Sequence, residues 1–157
     1  MLTLRAATPD DIPALLPLNA IVQDWHATHY PDRFRKYVDP EHVSSFFETM
    51  IDGDTTFVDL ALWDARPAGY LFTRLNAHDG SPFTLPSRHL HVEHIAVGVD
   101  HRRKGIATGL IACATDRAQS LGCSEINLTS WDANVPAHTA FRSTGFEMRR
   151  LWFAKSV

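Results

Sequence analysis

Residues 88–109 read RHLHVEHIAVGVDHRRKGIATG, and the fold turns on how they are parsed. Leu90 and Val92 are apolar at even positions, whereas Ile95, Val97 and Val99 are apolar at odd ones. Side chains along a strand alternate with a period of two, so the apolar face changes phase near Glu93-His94. One extra residue, a β-bulge, produces that change. A strand buried on both faces fits the same letters, because phase then carries no information. A bulge would splay the strand from its neighbour and free backbone N–H and C=O groups for a ligand. Directly after the strand comes a basic turn, Asp100 to Gly105, and then apolar residues at helical spacing: Ile106, Leu110, Cys113, Ala114 and Leu121, with Gly122 as the stop. A basic glycine-containing turn between a strand and a helix N-terminus suits an anion. First-turn amides point outward unpaired, and the helix dipole favours negative charge there. The small residues Gly105 and Ala107 let the backbone approach a phosphate. The bland alternative is a solvated basic turn. Neither GxxxxGK[ST] nor GxGxxG is present.

Working outward, Leu2 to Ala6 alternates as a strand, and Thr8-Pro9-Asp10-Asp11 carries a helix start. Pro13 and Pro17 predict a kink or break in the helix that follows. Asp39-Pro40-Glu41-His42 repeats the start signal, with Val43, Phe46, Phe47 and Met50 as a helical stripe. Residues 55–63 and 68–75 read as a hairpin turning through Ala65 to Gly69, and 76–87 as a loop. Beyond the central stretch, Ile126 to Trp131 reads as a strand, residues 135–143 as a short helix, and Gly145 to about Phe153 as a last strand. No repeat and no linker interrupts the chain, so one domain is expected over residues 1–157.

The 157 residues are 45% hydrophobic and 21% charged, which excludes a disordered chain. A formal charge of -3 speaks against nucleic acid as a partner. The charge is split. Residues 1–79 hold 12 Asp/Glu against 6 Lys/Arg, and residues 80–157 hold 6 against 9. Either this is chance on a solvated surface, or the second half meets an anion and the first a cation. Cys113 and Cys123 form no metal or disulfide spacing, and no secretory leader or membrane-length apolar run is read, so a cytoplasmic protein without a membrane partner is expected. There are nine His but only three Tyr, namely Tyr30, Tyr37 and Tyr70.

These residues resemble the GNAT-type N-acetyltransferases, which use acetyl-CoA. The family's pyrophosphate motif, Gln/Arg-x-x-Gly-x-Gly/Ala, is matched by Arg102, Gly105 and Ala107. Its second motif, roughly Asn-x-x-Ala-x-x-Phe-Tyr-x-x-x-Gly-Phe, is matched by Asn134, Ala137, Gly145 and Phe146. The resemblance is clear over residues 88–153. It implies an α/β (α+β mixed) fold: a mostly antiparallel sheet of about six to seven strands flanked by helices, split between two parallel strands where CoA binds. It implies that the backbone of Ile95, Ala96 and Val97 pairs with the pantetheine arm. It further implies that Arg102, Arg103, Lys104, Gly105, Ile106, Ala107 and Thr108 cradle the pyrophosphate. Asn134 and Phe141 would lie on the other side of the split. No metal is implied, although His89, His91 and Glu93 alternate in a way compatible with ligation. Family members are commonly dimers, so a homodimer is a candidate state.

The implied chemistry is attack of a small-molecule or peptidyl amine on a thioester. At neutral pH only about 0.1% or less of such an amine is neutral, so the site must remove a proton. Glu93, at the bulge, is the first candidate base, with His94 and His91 as neighbours. Phe141 departs from the family, which often has a Tyr there to protonate the leaving thiolate, and Ala140 replaces the preceding aromatic. His138, three residues before Phe141, is a substitute acid candidate. The missing Tyr also motivates a different reading, an acyl-CoA binding or sensing module without turnover. Candidate acceptor walls are Trp25, His26, His29, Tyr30, Phe34, Phe83 and Trp131.

Overall fold

The computed structural model describes residues Met1–Val157. Strand β4 (Ser87–Val97) pairs with β3 (Arg66–His78) antiparallel, with Phe72 opposite His94 but Thr73 opposite Val92. Glu93 is therefore the extra residue of a bulge, as the phase change requires. The packing follows the same logic. Leu90, Val92, Ile95 and Val97 all join the core on one face of the sheet, while Ala96 joins the core on the other. Without the bulge, either the first pair or the second would face the wrong side.

The sheet has five strands in the order β1-β2-β3-β4-β5, with β1 at Leu2–Ala6, β2 at Thr56–Trp63 and β5 at Glu125–Leu128. All neighbours are antiparallel except β4 and β5, which are parallel. Helices α1 (Ile12–His29) and α2 (Pro40–Ile51) cover one face through Leu15, Leu18 and Phe47. Helix α3 (Ile106–Ser120) covers the other through Ile106, Leu110, Ile111 and Ala114. Burying each of the Leu, Ile and Phe side chains among these contributes roughly 1.5–3 kcal/mol. Helix α4 (Val135–Ser143) follows β5 and buries no residue. No helix is long and apolar enough to cross a membrane.

Local chemistry explains the element ends. Thr8 donates its N–H and its hydroxyl to the Asp11 carboxylate at 2.8 and 3.0 Å, and Asp39 accepts from the Glu41 N–H at 2.9 Å. Helix α3 ends in a Schellman motif. Gly122 has φ 68°, its N–H reaches Gln119, and the Cys123 N–H reaches the Ala118 carbonyl.

Several expectations need correcting. The sheet has five strands, not six or seven, because residues 146–157 form no ladder and are mostly exposed. Strand β5 stops at Leu128 rather than Trp131. Helix α1 is continuous: Pro13 stands in its first turn, where its missing N–H has no partner to lose, and Pro17 lies on an exposed face. The hairpin turns at Asp64-Ala65, both at positive φ (49° and 62°), and a second bulge between Ala61 and Leu62 accommodates the Pro67 to Gly69 run as strand. Only residues 79–86 remain as a loop between β3 and β4.

Candidate active site

Pairing between β4 and β5 ends at Val92 opposite Leu128, level with the bulge. Beyond that point the two parallel strands part. The Gly98 N–H donates to the Ala68 carbonyl at 2.8 Å, which turns Gly98 toward β3. By strand alternation Ala96 also faces β3, and the backbone groups of Ile95 and Val97 face the opening. They have no strand partner there. The cleft thus exposes a short backbone edge between the fourth and fifth strands of the sheet, able to pair with an extended amide-bearing chain.

The basic turn lies at the end of the same strand. Arg103 and Gly105 are both at positive φ, 60° and 78°. The amides of residues 103–108 donate to no acceptor in the chain. A Cβ built on Gly105 meets nothing within 4 Å, so the space in front of the loop is open. Arg102, Lys104 and Thr108 are exposed beside it, half-buried Ala107 keeps the surface low, and buried Ile106 anchors the helix beneath. Successive free amides at alternating backbone hand form an anion-binding concavity, reinforced by the α3 dipole and three cationic side chains. The residues present fit a pyrophosphate.

On the α1/α2 side, Glu93 Oε1 accepts from Arg74 Nε at 3.1 Å, leaving Oε2 free. Arg74 lies 5.6 Å from the Phe72 ring centroid. His94 is half-buried among Phe46, Phe72 and Tyr70. Burial pushes its imidazole below the ordinary histidine range, and His26 adds to this while Glu93 opposes it. Fully buried Tyr70 accepts from Asn19 Nδ2 at 2.9 Å and lies 3.3 Å from His94 Nδ1. Burial also raises the Tyr70 phenol well above its ordinary range. His91 faces Asn127 instead, with Nδ1 2.7 Å from Oδ1. No group of three His, Cys, Asp or Glu is placed to hold a metal ion.

The aromatic residues do come together. Trp25 stacks on His29 at 4.2 Å, His26 on Phe34 at 4.5 Å, and Trp131 meets Tyr30 at 4.3 Å and Phe34 at 5.5 Å. The end of α1 therefore leans on the segment that follows β5. Phe83 is not among them; it is 96% exposed on the loop between β3 and β4. Asn134 stands at the N-cap position of α4 without a side-chain capping bond, and its N–H and His138 Nε2 both bond the Trp131 carbonyl at 3.0 Å. A carbonyl only accepts, so His138 donates there, and a neutral His138 has committed its one ring proton. Phe141 packs on Phe146 at 5.9 Å. Asn19, Arg74 and Asp132 are the additions the letters did not single out, and Tyr70 stands out in them only through the scarcity of tyrosines. Cross-strand register, which depends on the bulge, is what brings Arg74 and Tyr70 to the site.

Comparison with known proteins places this geometry. A family model described as the acetyltransferase (GNAT) family matches residues 19–146. An N-alpha-acetyltransferase of Saccharolobus solfataricus is 30% identical over 148 residues, covering 92% of this chain and 80% of that protein. A crystal structure of a mutant Bacillus halodurans protein superposes with a TM-score of 0.91 at 18% identity, covering 99% of both chains. An aminoglycoside 6'-N-acetyltransferase of Acinetobacter baumannii gives 0.76 at 19% identity, covering 100% of this chain and 99% of that one. At those identities the two structures speak for the fold alone.

Proposed function

This chain belongs to the acetyltransferase (GNAT) family, and on that premise we propose that it transfers the acetyl group of acetyl-CoA to a primary amine by direct attack in a ternary complex. The observation that carries the reading is the continuity of two unpaired backbone surfaces. The free edge at Ile95 and Val97 leads along one strand into the free amides of residues 103–108. An amide-bearing arm joined to a pyrophosphate matches that sequence of partners, and bound there it presents an acetyl thioester near the bulge. The Ile95 N–H is a candidate donor to the oxyanion.

Glu93 is the group we assign to take the amine proton, through its free Oε2 or one water. The amine nitrogen bonds the acetyl carbon, the carbon–sulfur bond breaks, and the sulfur leaves as thiolate. A simple thiol has a pKa near 8.5, so the thiolate is a tolerable leaving group without an acid. That matters here, because Phe141 has no proton to give, Tyr30 is bonded to Asp132, and Tyr70 is buried. His94, held by Tyr70, is the alternative proton carrier. The aromatic set of Trp25, His29, Tyr30, Phe34 and Trp131 is the proposed acceptor wall, and the N-terminus of a peptide and a small amine are both acceptors it suits. The test is acetyl-CoA binding by calorimetry, followed by thiol release across a panel of amines and peptides. No binding at sub-millimolar concentration sinks the reading.

The phenylalanine at position 141 favours one rival, a binding module that holds acyl-CoA without turnover. Catalytic thiol release with any amine discards it.

A further inference from the structure

The segment from residue 129 to 146 carries Asn134 and Phe141, and so one whole side of the cleft, yet no residue of α4 is buried. At its far end Phe146 packs against the α3-side core. At its near end the bonds to the Trp131 carbonyl are internal to the segment and fix nothing to the body. What ties the near end down comes from more than 100 residues earlier in the chain. The Tyr30 hydroxyl donates to the Asp132 carboxylate and accepts the Ala133 N–H at 3.1 Å, while its ring lies 4.3 Å from Trp131. Arg33 adds its guanidinium 5.8 Å from the Trp131 ring centroid. The two hydroxyl contacts fall on the two residues immediately before Asn134.

We propose that Tyr30 is a positioning residue for the cofactor side of the cleft: its hydroxyl fixes Asp132 and Ala133, and through them the place of Asn134 relative to β4. This rests on the reading of the cleft as the coenzyme A site. The physical ground is preorganisation. A segment already held in place need not be ordered when the ligand arrives, so its tether shows up in affinity even though it touches no ligand atom. The contact is to an ionised carboxylate, the stronger kind of hydrogen bond.

Tyr30→Phe keeps the ring against Trp131 and removes both polar contacts. We expect the dissociation constant for coenzyme A, measured by calorimetry, to rise about five- to tenfold, the range one such bond supports, with little change in melting temperature. Asp132→Asn should weaken binding in the same direction. The double variant should be no weaker than the worse single one by more than about twofold, because Asp132→Asn weakens one of the two contacts that Tyr30→Phe already removes. A purely structural role would instead lower the melting temperature and leave the affinity of the folded protein unchanged. If Tyr30→Phe does not fold, Asp132→Asn alone carries the test. Unchanged affinity in the variants, or fully additive losses, overturns the inference. Wild-type protein that binds no coenzyme A removes the cofactor reading and this inference with it. Wild-type binding with undiminished variants removes this inference alone.

Discussion

Glu93 owes its place to being the one residue of β4 with no counterpart on β3. Its side chain keeps to the face of His91 and Arg74, and the register shifts only after it, at His94. Glu93→Gln keeps the shape and removes the proton acceptor. We expect kcat to fall by about 10²-fold or more, with KM for acetyl-CoA changed by less than about threefold, and the pH–rate profile to change shape. An unchanged profile in the mutant removes Glu93 as the base. Gly105 is a residue-scale constraint of another kind. Its φ of 78° suits glycine, and the open space before it is where a phosphate would lie. Gly105→Val should cost about 1–3 kcal/mol of backbone strain and abolish coenzyme A binding at sub-millimolar concentration, read by urea unfolding and calorimetry together.

Among the elements, the contact between β2 and α3 is electrostatic as well as apolar. Asp59, 1% exposed, accepts from both terminal nitrogens of Arg117 at 2.5 and 2.6 Å, and the guanidinium lies 4.9 Å from the Phe57 ring centroid. Arg117→Met would leave a buried carboxylate unpaired and should destabilise the protein by about 3–5 kcal/mol; adding Asp59→Leu should restore much of that, as urea midpoints will show. The elements themselves were legible to different degrees. The bulge was written in the phase of five apolar residues, and both helix starts in their caps. The hairpin tip was not, because Pro67 and Gly69 look like turn residues while Ala65, which forms the tip at positive φ, does not. The last strand failed for a different reason. Residues 146–153 have strand-like letters, but a ladder needs a partner edge, and pairing is not a property of the segment that pairs. In the site, the aromatic residues were legible as candidates, though Tyr30 and Phe34 lie beyond α1 and meet Trp131 only in the fold. The Arg74–Glu93 and Tyr70–His94 contacts were not, since they depend on a register that the bulge resets.

For the molecule as a whole, the charge split has a partly internal explanation. In the acidic half, Asp11 pairs with Arg5, Asp59 with Arg117 and Asp64 with the N-terminal ammonium, while Asp39 caps α2. These carboxylates build the fold and do not wait for a cationic acceptor. The basic turn does sit in the positive half. Proton linkage also acts on the whole fold. His94 and His26 both lie below the ordinary histidine range, chiefly through burial. The unfolded chain therefore binds more protons than the native one as pH falls through about 6.5, and stability must decline in that direction. Asp11, held below the ordinary carboxylate range by Arg5, adds its own loss only in stronger acid. Urea unfolding between pH 7.5 and 5.5 should show the decline, and His94→Gln should flatten it. An equal decline in that variant would assign the effect elsewhere. The parting of β4 from β5 has one more consequence. It makes an edge in the interior of a sheet, and an open edge is a template on which other chains can add. Here the hazard is confined to Ile95 and Val97, bracketed by the bulge at Glu93 and by Gly98, which is bonded back to β3. A gap so short has room for a slender ligand and little for an invading strand, so the geometry that admits the one also guards against aggregation.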